Sequence, residues 1–161
     1  MVGRDMNITL DGNMASARVG SLWLAATGNR PIEDATWREY LEQAAASVRQ
    51  VGPFTGILLW APTFGPSTHQ RRMLTDEFGE AVRVDAQRRV ALISESAFVR
   101  GTMTAINWLL QKNILAFAPP NIERALEWLA EEIAFDPVEA RATLDGIVAA
   151  VRTVLRKQAT S

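Results

Sequence analysis

Arg88-Arg-Val-Ala-Leu-Ile-Ser-Glu-Ser96 is followed by a helical pattern from Phe98 to Gln111, then by Ile114-Leu-Ala-Phe-Ala-Pro-Pro120 and an amphipathic run from Asn121. The order reads strand, helix, strand, helix. Two short apolar runs joined through a helix require a crossover connection, so Val90 to Ser94 and Ile114 to Ala118 are parallel neighbours in a buried sheet. Met103, Ile106, Leu109 and Leu110 form the apolar stripe of the helix between them.

Upstream, Thr55 to Ala61 (TGILLWA) is a further apolar run of strand length. It is continuous rather than alternating, as a central parallel strand needs when helices cover both faces. Before it, Trp37, Tyr40, Leu41, Ala44, Val48 and Val51 recur at helical spacing. Thr36 and Glu39 have capping-box spacing, with Asp34 as an alternative cap, and Gly52-Pro53 ends the helix. Pro62 to Pro66 is a loop. Ser67 or Thr68 caps a second helix that carries Met73, Leu74, Phe78, Ala81 and Val82 inward. Near the N-terminus, Ile8 and Leu10 alternate with polar neighbours and Asp11-Gly12 is a hairpin signal. Arg18 to Thr27 is expected as one returning strand.

Downstream, Asn121 is expected to cap a fourth helix with Ile122, Leu126, Leu129 and Ile133 inward. Asp136, Pro137 and Glu139 open a tail helix. Its apolar face is Leu144, Ile147, Val148, Val151, Val154 and Leu155. The fold class is therefore α/β: a mixed, mostly parallel sheet of about five strands with helices packed on it, plus an extra C-terminal amphipathic helix. Residues 1–134 form the α/β domain and 135–161 a C-terminal helical extension.

The composition narrows the function classes. The chain has 161 residues, and 17 basic against 18 acidic side chains leave a formal charge of −1. That argues against a general electrostatic nucleic-acid binder. Arg71-Arg72, Arg88-Arg89 and Arg152 to Lys157 read as solvated faces. There is no cysteine, so disulfides, thiolate catalysis and cysteine-ligated metals are excluded. No apolar run approaches the roughly 18 residues of a membrane helix, and the first residues lack a signal-peptide core. A cytoplasmic protein without a membrane span is expected.

Few residues carry chemistry. His69 is the only histidine, and a lone imidazole makes no multi-histidine metal site. Ser67 and Thr68 have a structural role as caps and a functional one as phosphate acceptors, since a helix N-terminus favours added negative charge. Ser94, Glu95 and Ser96 lie at the C-terminal end of a parallel strand, where ligands gather in open α/β sheets. Arg100 follows and has the chemistry to meet an anion or a partner carboxylate. Trp60 and Phe64 flank a strand-to-loop exit and read either as core or as the rim of a binding surface. Neither phosphate-cradling glycine motif occurs, and no spacing marks an acid/base pair. Metal, cofactor and catalytic residues are all expected to be none.

The element order resembles the SpoIIAA-like, or STAS, fold over roughly residues 7 to 134, nearest the STAS/SEC14-like subgroup. Val90-Ala-Leu-Ile-Ser94 leading into Ser96-Ala-Phe-Val-Arg-Gly101 carries the likeness. So does Leu115-Ala-Phe-Ala118 before Ala125-Leu-Glu-Trp-Leu129. The resemblance implies a small non-enzymatic binding module that docks a protein partner. In the anti-anti-sigma class a serine at the start of the second helix is phosphorylated, and Ser67 and Thr68 stand near that place. The flanking aspartate and glycine of that motif are absent here.

Two readings of function follow. One is a regulatory protein-interaction module docking through Phe64, Ser67, Thr68, His69 and the second helix. The other is a SEC14-like binder of a small apolar ligand or lipid, with Trp60, Ser94, Ser96 and Arg100 near the site. The tail face must be buried. Packing on its own domain and pairing in a homodimer both satisfy it.

Overall fold

The computed structural model describes residues 6–51, 55–73, 76, 89–98, 100–101 and 113–160, the side chains of Val48, Val51, Asn113 and 153–160 excepted. The expected stripes at Leu74, Phe78, Ala81 and Val82, and at Met103, Ile106, Leu109 and Leu110, lie outside the described residues. So do the side chains of Val154 and Leu155.

Six strands form one sheet in sequence order: β1 (Asn7–Ile8), β2 (Met14–Val19), β3 (Leu22–Thr27), β4 (Gly56–Trp60), β5 (Arg89–Ile93) and β6 (Asn113–Phe117). β1, β2 and β3 pair antiparallel, and β3 to β6 are parallel. The helices are α1 (Asp34–Val51), α2 beginning at 68–73, α3 described at 97–98 and 100–101, α4 (Ile122–Ala130) and α5 (Pro137–Thr160), with a 3-10 turn at Pro119–Asn121 before α4. The α/β class and the parallel pairing of β5 with β6 agree with the sequence.

The N-terminal third differs from expectation. Arg18 to Thr27 is not one strand. Gly20 and Ser21 make a two-residue turn between β2 and β3, with Val19 paired to Leu22. Gly20 has φ +57, a conformation open to glycine at little cost. An added Cβ there would lie 2.7 Å from the Ala134 carbonyl oxygen. The Asp11-Gly12 turn does form a hairpin, but Leu10 sits in the turn itself, 99% exposed.

Alternation along the strands feeds two cores. Leu22, Leu24, Ala26, Leu58, Ala91 and Ile93 face α4 and α5. Trp23, Ala25, Leu59 and Leu92 face the opposite side, against α1 and Met73 of α2. Both faces are covered, which explains the unbroken apolar runs of β3 and β4. α1 and Met73 of α2 share one face, as parallel strands in sequential order with crossovers of one hand require. α4 and α5 then close the other.

The tail helix packs on its own chain. Ala140, Leu144, Ile147 and Val151 share one buried cluster with Ala15, Ala17, Leu22 and Leu24 of β2 and β3. Val148 is half-buried against the same cluster. In the single chain the side chains of Leu144, Ile147 and Val151 are covered by the sheet, which is the packing on its own domain that the sequence allows beside a homodimer. Asp136 caps α5 as expected: its Oδ1 accepts the Val138 and Glu139 N–H groups at 3.0 and 3.4 Å. Asn121 holds the position before α4 without a side-chain capping bond.

Arg89, at the start of β5, ties the sheet to the end of α4. Its side chain is 15% exposed, bonds Glu131 at 2.9 Å and the Trp128 carbonyl, and stacks 4.7 Å from the Trp128 ring centre. A desolvated guanidinium over an indole is stabilising by about 1–2 kcal/mol.

Candidate functional site

The C-terminal ends of β3, β4, β5 and β6 carry the loops at 28–33, 61–67, 94–96 and 118–121. The N-termini of α1, α2, α3 and α4 meet the same edge. Ligand and partner sites in open α/β sheets lie there. The Ala61 N–H donates to the Ile93 carbonyl at 2.9 Å and the Glu95 N–H to Pro62 at 3.0 Å. These bonds bring the two groups of sequence candidates, 60–69 and 94–100, to one edge.

Ser67 is the cap of α2. Its N–H donates to Gln70 Oε1 at 2.9 Å, and the Gln70 N–H donates back to Ser67 Oγ at 3.1 Å. This is a reciprocal capping box, which satisfies two donors that the helix start would leave unpaired. Gln70 itself is buried and joins α2 to α1. Its Nε2 donates to the Ile32 carbonyl at 2.6 Å and to Asp34 Oδ1 at 3.1 Å, while its carbonyl accepts Trp37 Nε1 at 2.8 Å. The spacing Ser67-Thr-His-Gln70 is the signal that would have found it.

Thr68 and His69 are exposed. The Thr68 hydroxyl accepts Arg71 Nη2 at 3.0 Å. His69 Nε2 lies 3.7 Å from Asp34 Oδ2, and both side chains are more than half exposed. Phe64 is half-buried, and its carbonyl accepts the Thr27 hydroxyl at 3.3 Å.

The second group is tied to the backbone at Ser94 and Arg100. Ser94 is buried: its N–H donates to the Phe117 carbonyl at 3.0 Å, its hydroxyl accepts the Ser96 N–H at 3.1 Å, and its carbonyl accepts Arg100 Nη1 at 2.8 Å. The Ser96 carbonyl in turn accepts the Arg100 N–H. Trp60 is half-buried against the α4/α5 core, the side where Phe117 meets Trp128 at 6.1 Å between ring centres. Sequence reasoning missed Phe98, which is 82% exposed on α3.

Thr36 is not the cap of α1. The Glu33 carbonyl accepts the Trp37 N–H at 2.9 Å, so Thr36 already lies inside the first turn. Its hydroxyl donates to Asp11 Oδ2 at 2.7 Å. Asp11 also accepts the Thr9 hydroxyl at 2.9 Å and the Asn13 N–H at 3.1 Å. Partial burial alone would raise this carboxyl. The bonds from Thr36, Asn13 and Thr9 and the Arg30 charge outweigh burial and hold it below the usual carboxylate range.

No protein-family model matches this chain, and neither does any curated protein or solved structure.

Among the described residues no group of three or more histidine or acidic side chains converges to hold a metal ion. Among them, too, no helix is long and apolar enough to cross a membrane. Burial pushes the Tyr40 hydroxyl up, which keeps it protonated in its core against Trp37. The edge offers exposed polar and aromatic side chains on a well-tied backbone.

Proposed function

We propose that this chain is a non-enzymatic regulatory protein-interaction module of SpoIIAA-like, STAS type, docking a protein partner in the cytoplasm through the 62–70 loop and α2. The observation that carries this reading is how that segment is held. Ser67 and Gln70 fix the start of α2, and Gln70 fixes α2 to α1. Thr63, Ser67, Thr68 and His69 still face solvent. An exposed segment ordered in advance gives up little conformational freedom on docking. Phe98, on the helix after the loop bonded to Pro62, adds an exposed aromatic anchor of the kind that dominates interfaces. The Ser94 hydroxyl and the Arg100 side chain beside it are bonded to backbone, which supports recognition over chemistry. The passage from an N-terminal hairpin into parallel strands supports the STAS likeness.

Site-specific photo-crosslinking in the native host tests the proposal. A photoreactive residue at His69 is expected to trap one discrete protein, and the same residue at Glu127, exposed on α4, is not. Trapping lost with Phe98→Glu at unchanged thermal stability would place the contact at this edge. No adduct from His69, or the same adduct from both positions, overturns it. A lipid-sized mass released on denaturation in native mass spectrometry would instead favour a SEC14-like carrier of a small apolar ligand.

A further inference from the structure

We draw no further inference here: the strongest candidate, the exposed apolar strip of Met6, Ile8 and Leu10 along the outer edge of β1 and its turn, is an unpartnered sheet edge, and nothing in the structure shows what covers it.

Discussion

Ser67 and Thr68 are adjacent hydroxyls at one helix start, yet the structure gives them different work. The Ser67 oxygen accepts a backbone N–H that would otherwise be unpaired. The Thr68 oxygen meets the Arg71 side chain at the surface. Ser67→Ala is therefore expected to lower stability by about 0.5–2 kcal/mol, the usual worth of such a cap. Thr68→Ala is expected to stay within about 0.5 kcal/mol of the parent, as exposed substitutions do. Urea unfolding of the two variants side by side decides it. Equal values would mean that the capping box does not hold α2. The sequence offered both hydroxyls as caps and left Gln70 unremarked. The reciprocal spacing was legible, whereas the reach of Gln70 to Ile32 and Asp34 depends on a contact between residues more than thirty positions apart. Ser94 and Arg100 were legible as residues of the functional edge. Their bonds, from Arg100 to the Ser94 carbonyl and from the Ser96 N–H to the Ser94 hydroxyl, were not, because no spacing rule encodes them.

At the scale of elements, the parallel strands were readable and β2 with its turn into β3 was not, for a physical reason. β4, β5 and β6 are apolar runs between loop signals, and crossovers demand their parallel pairing. β2 is Met-Ala-Ser-Ala-Arg-Val, with small residues of weak strand preference, covered by α1 and α5. Its turn uses Gly20-Ser21 rather than Asn-Gly, so two strands read as one. That turn yields a test. Alanine at Gly20 meets both the left-handed φ and the Ala134 carbonyl. Gly20→Ala is expected to cost about 1–3 kcal/mol, and a neutral result would show that the β2–β3 turn relaxes freely. The β1–β2 turn yields a second test, through Asp11. Its folded carboxyl is held below the ordinary value, so ionised Asp11 stabilises the fold above the pH where the unfolded group titrates. That contribution fades as pH falls through the folded value. Asp11→Asn is expected to flatten the stability profile between about pH 5 and 3. A profile parallel to that of the parent would assign the acid response to other carboxylates.

For the molecule as a whole, α5 decides whether the sheet is a closed three-layer unit or one with an open face. Without it, β2 and β3 would leave Ala15, Ala17, Leu22 and Leu24 facing solvent on the α4 side. The helix that the sequence sets apart as an extension thus completes the second core. The periodicity of its apolar face was plain in the sequence, but periodicity cannot say whether a face meets its own sheet or another copy. Val151 separates the two cases, because it is 1% exposed within a single chain. Val151→Asp places an unpaired carboxylate in that core and is expected to cost roughly 3–5 kcal/mol, a large share of a typical domain's stability. Val151→Ala removes packing alone and is expected to cost about 2 kcal/mol while leaving a folded protein. Light scattering on that milder variant should return the parent's molar mass at every concentration. A halved mass, with unfolding unchanged, would show that α5 pairs between chains and that its packing on β2 and β3 is not the state in solution.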